Sequence, residues 1–191
     1  MAKYCFVRHG QTNWNIQGKW QGHTDIELNE TGVLQAKQAA DQLREHQFSA
    51  IYSSDLSRAL QTAEAINIHH GMRIITDERL REQHFGKWEG LGQKDVPGLY
   101  PREWEAFRTD PINSAAVGGE SMQDLANRML EFLSESEARH NEDDHVLVVA
   151  HGLSLAVLMC ALEGQSLVEA YKRIPQNATP IFFTPTSPTP I

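Results

Sequence analysis

The stretch Tyr4-Cys5-Phe6-Val7-Arg8-His9-Gly10 indicates most clearly how this chain folds. Its apolar residues predict a short buried strand, and the glycine after the charged pair lets the backbone turn tightly. Such a strand delivers a cation and an imidazole to one edge of a sheet. Near the other end of the chain, the apolar run 146–150 leads into His151-Gly152 in the same manner. We therefore expect two histidines to converge at one edge of one sheet.

Strand-like and helix-like segments alternate along the rest of the chain, which is typical of an α/β architecture with a mainly parallel sheet. We predict strands at residues 4–7, 49–53, 73–75, 146–150 and 181–183. We predict helices after Asn29 (with Val33, Ala36, Ala40 and Leu43 as its apolar positions), after Ser54 or Asp55, over 102–108, after Ser121 and over 153–163.

The segment from Gly86 to Gly119 breaks this pattern, because it combines three prolines with several glycines and two tryptophans. A long stretch without periodicity is usually functional, and we expect it to form a lid over a pocket. Residues 1–183 are expected to form one domain. The proline-rich residues 184–191 are expected to be extended or disordered.

Composition narrows the classes of function. The chain has 191 residues, 25 acidic against 17 basic, and a formal net charge of −8, which argues against nucleic acid as a partner. Its apolar runs are too short to span a membrane, and the first strand leaves no room for a signal peptide. We expect a cytoplasmic protein in which Cys5 and Cys160 are buried free thiols. A homodimer is left open.

Five side chains form a candidate phosphate site. Arg8, His9 and His151 end two strands, Arg58 begins the helix after another, and Glu82 lies just before the irregular segment. In doubly wound sheets, ligands bind at the carboxyl ends of the strands, where helix N-termini also favour anions. Guanidinium groups suit phosphate oxygens in both charge and geometry. These groups therefore predict a pocket for a phosphate ester.

The residue types also suggest a reaction. A neutral imidazole at His9 can attack phosphorus and hold the phosphoryl group covalently. The two arginines can neutralise the non-bridging oxygens, and His151 can add a hydrogen-bond donor. Glu82 can give a proton to the leaving alkoxide and then take one from water. No metal and no cofactor are required in this scheme.

Four separated segments, between about Lys3 and Ala178, resemble the histidine phosphatase superfamily, which includes cofactor-dependent phosphoglycerate mutases and similar broad-specificity phosphatases. They are Arg8-His9-Gly10-Gln11-Thr12-Asn13-Trp14-Asn15, Ser53-Ser54-Asp55-Leu56-Ser57-Arg58-Ala59-Leu60-Gln61-Thr62-Ala63, Phe85-Gly86-Lys87-Trp88-Glu89-Gly90 and His151-Gly152. The resemblance implies a phosphoglycerate mutase-like three-layer α/β/α sandwich. It also implies that His9 is the phosphorylated nucleophile, that Arg8, Arg58 and His151 complete the phosphate pocket, and that Glu82 is the proton donor. Asn15, Gln21 and Gly152 are the implied substrate-binding residues.

The compact length and the segment around Glu82 resemble the phosphatase side of that superfamily, including phosphatases of the α-ribazole phosphate type. The function expected is metal-independent hydrolysis of a small phosphorylated metabolite. Three alternatives remain: a phosphoglycerate mutase, a phospho-ligand binding module without turnover, and a metallohydrolase with His9, His151 and Glu82 as ligands.

Several nearby residues compete for a role. Glu89 is the rival carboxylate to Glu82, although a supporting or solvent-facing position is favoured. His23 and His84 flank the proposed pocket, and we favour ordinary loop histidines there. The four tryptophans either form a rim around the substrate or pack long loops onto the core.

Overall fold

The computed structural model describes residues 2–183 and contains five strands and seven α-helices. The strands are β1 (Lys3–Arg8), β2 (Ala50–Ser53), β3 (Ile74–Thr76), β4 (His145–Ala150) and β5 (Pro180–Phe183). The helices are α1 (Asn13–Ile16), α2 (Glu30–Leu43), α3 (Ser57–Asn67), α4 (Val96–Leu99), α5 (Pro101–Thr109), α6 (Met122–Arg139) and α7 (Gly152–Leu162). Short 3₁₀ helices span Glu78–Leu80, Gly86–Trp88 and Leu167–Lys172.

All five strands form one sheet in the order β3-β2-β4-β1-β5. The first four strands are parallel to their neighbours, and only β5 runs antiparallel, along β1. The expected mainly parallel α/β fold is therefore confirmed. β1 and β4 are adjacent, with Arg8 opposite Ala150, so the residues that follow these two strands emerge side by side.

The two faces of the sheet carry separate hydrophobic clusters, because successive side chains of a strand point to opposite faces. Tyr4 and Phe6 pack in the cluster that contains α6 and α7. Cys5 and Val7 pack in the cluster that contains α2 and α3. Helices thus cover both faces, as expected for a three-layer sandwich.

This layering opens a crevice between β1 and β4. After β1 the chain reaches α2 on one face, whereas after β4 it enters α7 on the other face. Ligands in open α/β sheets bind at such a topological switch point, outside the carboxyl ends of the strands. The fold therefore places His9 and His151 on the two sides of the crevice.

All five predicted strands are confirmed, but some helix details differ. The prediction that Ser54 or Asp55 caps α3 is wrong, because α3 begins at Ser57 and its N-cap residue is Leu56. The Leu56 side chain makes no capping hydrogen bond. Asp25 supplies the bond instead, since its carboxylate accepts from the Ser57 backbone N–H at 2.8 Å. On α2, the predicted apolar positions Ala36, Ala40 and Leu43 are buried, but Val33 is 42% exposed and lies outside their buried stripe.

The predicted helix around 102–108 corresponds to α5, but the segment from Gly86 to Gly119 is more ordered than its sequence indicates. Trp88, Val96 and Phe107 are buried in the same cluster as α6 and α7. The ends of the segment meet, because a Cβ at Gly86 would lie 2.6 Å from the Gly119 backbone nitrogen. Its role as a lid stays a prediction.

Cys5 and Cys160 are both free and buried, as predicted. The predicted proline-rich tail, 184–191, lies outside the described residues. Between residues 2 and 183, no helix combines the length and apolar character needed to cross a bilayer.

Candidate active site

His9 lies directly beyond β1 and is only 2% exposed. Its backbone N–H donates to the Ala150 carbonyl at 3.0 Å, and the His9 carbonyl accepts from the Asn177 side-chain amide at 2.8 Å. Its Nδ1 lies 2.6 Å from the Gly10 carbonyl oxygen. Because a carbonyl can only accept, Nδ1 carries the proton and Nε2 keeps its lone pair.

The surroundings of His9 keep its ring neutral. Burial lowers its pKa well below the ordinary value of 6.5, and the charges of Arg58 and Arg8 lower it further. The hydrogen bond to Gly10 opposes this shift but is the smallest contribution. A neutral imidazole with a free Nε2 lone pair is a nucleophile.

His151 follows β4 and is fully buried, with its ring centroid 5.1 Å from that of His9. Its Nδ1 accepts from Arg58 Nε at 3.2 Å, so its proton is on Nε2, which lies 2.8 Å from the Ser54 hydroxyl. Burial and then the Arg58 charge lower its pKa well below 6.5. His151 therefore presents an N–H donor rather than a second positive charge.

Arg58, in the first turn of α3, is completely buried. Besides His151, its guanidinium donates to the Gly22 carbonyl at 2.7 Å and to the Thr24 carbonyl at 2.9 Å. Burial lowers its pKa to about 10, and the nearby carboxylate of Glu82 opposes that shift. Arg58 therefore remains charged at neutral pH.

Arg8 reaches the same crevice from the end of β1. Its Nη1 donates to the Pro175 carbonyl at 2.8 Å, whereas its buried Nε has no hydrogen-bond partner among residues 2–183. A Cβ at Gly152 would lie 3.1 Å from that Nε, so the glycine leaves room for the guanidinium. An unpaired buried donor on a cation suits an anionic ligand.

Glu82 stands at the N-terminus of α7 and is half-buried. Its carboxylate accepts from the backbone N–H groups of Leu153 and Ser154, each at 3.0 Å. These N–H groups belong to the first turn of α7, where a negative charge is favourable. The helix that follows His151 thus holds the carboxylate beside both arginines.

Asn15 and Gln21 both turn their side-chain oxygens toward Thr12. Asn15 Oδ1 accepts from the Thr12 backbone N–H at 3.0 Å, which closes the capping box of α1. Gln21 Oε1 accepts from the Thr12 hydroxyl at 3.0 Å. This orientation turns both amide nitrogens, which are donors, away from Thr12. Their predicted contact with the substrate stays a prediction.

The sequence matches a known protein family over almost its whole length. The family model of the histidine phosphatase superfamily (branch 1) matches residues 4–186. This chain belongs to the histidine phosphatase superfamily. It is therefore an enzyme, since its superfamily consists of phosphatases and related enzymes and its relatives include a protein named as a phosphatase.

Relatives of this histidine phosphatase carry names of two kinds. Glucosyl-3-phosphoglycerate phosphatase of Mycolicibacterium vanbaalenii is 39% identical over 170 residues, which cover 86% of this chain and 75% of that protein. Phosphoglycerate mutase-like protein 4 of Arabidopsis thaliana is 39% identical over 154 residues, 79% of this chain and 66% of that protein. A mycobacterial glucosyl-3-phosphoglycerate phosphatase solved with VO₃ superimposes with a TM-score of 0.86, at 35% identity, over 96% of this chain and 93% of that one.

The histidine phosphatase site also contains residues that the sequence analysis missed. The Thr62 hydroxyl accepts from the Gly10 N–H at 3.0 Å and donates to the Arg58 carbonyl at 2.8 Å, so it ties α3 to the turn after His9. Ser54, interpreted from sequence as a helix cap, contacts His151 instead. Thr62 lies in the second of the four family-like segments, one helical turn after Arg58, but neither its place there nor the i, i+4 spacing distinguishes it from a core position.

The competing residues in this site now have definite surroundings. Glu89 accepts from the backbone N–H groups of His23 at 3.0 Å and Thr24 at 2.8 Å, so it supports the loop whose carbonyls bind Arg58. His23 stacks on His84, with ring centroids 4.6 Å apart. Trp20 and Trp88 pack against each other and against Phe107, which favours packing over a rim for these two.

The metallohydrolase alternative requires a cluster of ligands. Across residues 2–183, no group of three or more His, Cys, Asp and Glu side chains is arranged to hold a metal ion. Both ring nitrogens of His151 already have hydrogen-bond partners, Arg58 and Ser54. A chelator tests this alternative directly.

Proposed function

We propose that this enzyme hydrolyses a phosphate monoester through a phosphohistidine at His9. One observation carries the proposal: His9 is a buried neutral imidazole whose Nδ1 proton is held by Gly10, so its unprotonated Nε2 is available between two guanidinium groups. A nucleophile of this kind and a cationic pocket are what phosphoryl transfer requires.

In the first step, the lone pair of His9 Nε2 attacks phosphorus and the bond between phosphorus and the leaving oxygen breaks. Arg8 and Arg58 stabilise the charge on the non-bridging oxygens, and His151 joins them when its Nε2–H exchanges the Ser54 hydroxyl for a phosphate oxygen. Glu82 gives its proton to the leaving oxygen.

In the second step, water attacks the phosphohistidine. The carboxylate of Glu82 takes a proton from the water, the bond between Nε2 and phosphorus breaks, and phosphate leaves. His9 and protonated Glu82 are restored, so the cycle consumes one ester and one water. No metal ion takes part in either step.

A small phosphorylated metabolite is the substrate class we propose, supported by the two arginines at the crevice between β1 and β4. We propose hydrolysis rather than mutase turnover because two of the three relatives described above are named as phosphatases. A cytoplasmic location is proposed on the basis of the two buried free thiols.

The deciding experiment measures hydrolysis of p-nitrophenyl phosphate with EDTA present, for the wild type, His9→Ala and His145→Ala. His145 is the first residue of β4, at the amino end of the strand and away from His151, and it serves as the matched control. We expect His9→Ala to lose at least about 10³-fold in kcat/KM, the order of loss when a nucleophile is removed. His145→Ala should retain nearly full activity.

Acid-labile ³²P incorporation from a labelled substrate, absent in His9→Ala, would identify the intermediate. A parallel assay with 3-phosphoglycerate and its bisphosphate primer tests mutase turnover. Efficient mutase turnover without hydrolysis would replace the proposal by the mutase alternative. Activity that EDTA abolishes would instead favour the metallohydrolase.

A further inference from the structure

Arg128, on α6, forms hydrogen bonds with the backbone of the segment that contains Glu82. Its Nη1 donates to the carbonyl oxygens of Arg79 at 2.6 Å and Arg81 at 2.7 Å, and its Nη2 donates to that of Glu82 at 2.8 Å. Its side chain is only 17% exposed. One guanidinium from a distant helix thus holds three carbonyls within four residues of chain.

Glu120 connects Arg128 to the residues that follow Glu82. Its carboxylate accepts from Arg128 Nε at 3.1 Å and from the His84 backbone N–H at 2.9 Å. Its carbonyl accepts from the Gln83 side chain at 2.9 Å. The Arg128–Glu120 pair therefore binds the chain immediately before and after the carboxylate.

This segment needs such support because it has no regular structure of its own. The 3₁₀ helix ends at Leu80, and no helix or strand resumes before Gly86. Backbone carbonyls in a part-buried turn must find donors elsewhere. Arg128 supplies those donors, and the Glu82 carbonyl gains a second one from His23 Nε2 at 2.9 Å.

We propose that Arg128, with Glu120, is a positioning residue that sets Glu82 for proton transfer to the leaving group. This inference rests on the proposed function, since it assigns Glu82 the role of general acid. The carboxylate reaches the N–H groups of Leu153 and Ser154 only if its backbone is held at the right distance from α7. A displacement of about 1 Å in a reacting group can cost ~10²-fold in rate.

Arg79 provides a matched comparison. It also joins this part of the chain to α6, through ion pairs with Asp77 and with Glu135 at 2.6 Å. Among the described residues, its side chain makes no hydrogen bond to the Glu82 backbone. Removing Arg79 therefore loosens the same junction without releasing the carbonyl of Glu82.

The test is a series of phosphate esters with leaving groups of increasing pKa, from p-nitrophenyl phosphate through phenyl phosphate to an alkyl phosphate. A general acid matters little for a good leaving group and strongly for a poor one. We expect Glu82→Gln and Arg128→Met to lose ~10-fold or less in kcat/KM on the first ester and ~10²-fold or more on the last. Arg79→Met should lose a similar small factor on every ester.

The readout is the ratio of kcat/KM values on poor and good leaving groups within one preparation, so a partly unfolded variant still gives a valid result. Arg128→Lys, which retains a donor, should restore part of the ratio. Adding Arg128→Met to Glu82→Gln should change the ratio no further. A uniform loss in Arg128→Met across the series, as in Arg79→Met, overturns the inference. If the proposed function itself is wrong, the wild type will show no hydrolysis in the presence of EDTA, which is a different result from a uniform loss in Arg128→Met.

Discussion

At the residue scale, the site depends on two histidines that burial keeps neutral beside two arginines. His9 and His151 each contact a different partner, Gly10 and Arg58, and these partners determine which ring nitrogen carries the proton. A protonated ring in this place would add a third buried positive charge. The pocket therefore obtains its positive charge from guanidinium groups, which stay protonated, and its nucleophile from an imidazole, which does not.

This arrangement predicts a pH dependence of stability. The pKa values of His9 and His151 are well below 6.5 in the folded protein, whereas both rings titrate near 6.5 when the chain unfolds. Below pH 6.5 the unfolded chain therefore binds protons that the folded chain does not. The free energy of unfolding should fall as pH drops from 7 toward 5, with a slope approaching about 1.4 kcal/mol per pH unit for each histidine.

Urea unfolding at several pH values measures this dependence. The double variant His9→Gln/His151→Gln should show a shallower decline between pH 7 and 5, with a residual slope from groups such as His23 and His70, whose pKa values are also lowered. His145→Gln should leave the slope unchanged. A double variant with the slope of the wild type would contradict this explanation.

At the scale of the elements, the N-termini of two helices position Glu82 and Arg58. α7 binds the carboxylate of Glu82, and α3 begins one residue before Arg58. The N-terminus of α3 depends on Asp25, which accepts from the Ser57 backbone at 2.8 Å and from its hydroxyl at 2.7 Å. A loop that precedes the helix by some thirty residues thus completes its first turn.

We therefore expect Asp25→Ala to lower the free energy of unfolding by about 0.5–1 kcal/mol, the usual cost of losing an N-cap bond. Because Arg58 lies in that first turn, KM for the phosphate ester should rise several-fold at the same time. Denaturant unfolding and steady-state kinetics measure the two effects. Glu27→Ala, an exposed change in the same loop, should leave both unchanged; an unaltered KM in Asp25→Ala would show that Arg58 is held without this cap.

At the scale of the whole molecule, the irregular segment 86–119 is part of the main hydrophobic core. Trp88 is fully buried and packs against Trp20, Trp104 and Phe107. Phe107 in turn contacts Tyr171, close to the end of the described chain. Any movement that opens a lid must therefore leave this aromatic cluster in place.

Trp88→Ala should consequently destabilise the protein by about 3–5 kcal/mol, the cost of a large cavity in a core. Leu99→Ala, at a side chain of the same segment that is 60% exposed, should change the free energy of unfolding by no more than about 0.5 kcal/mol. Thermal or urea unfolding distinguishes the two. A loss below about 1 kcal/mol in Trp88→Ala would indicate a segment that only rests on the surface.

Much of the fold and of the candidate site could be predicted from sequence because their signals are local. Apolar runs predicted β1 and β4, and Ser121 predicted the start of α6, where the structure shows it in a capping box with Asp124. His9 and His151 directly follow those two strands, so a parallel sheet alone was enough to bring them together. Signals of this kind extend over a few residues and need no knowledge of distant contacts.

The α/β class, the strands and the two histidines at one edge therefore follow from local patterns. The bond from Asp25 to α3, the contact of Ser54 with His151 and the hold of Arg128 on the backbone of Glu82 depend on how the chain packs. These contacts join residues separated by tens of positions along the chain. Their hydrogen bonds exist only after packing has brought the partners within about 3 Å, and no pattern within one segment encodes that distance.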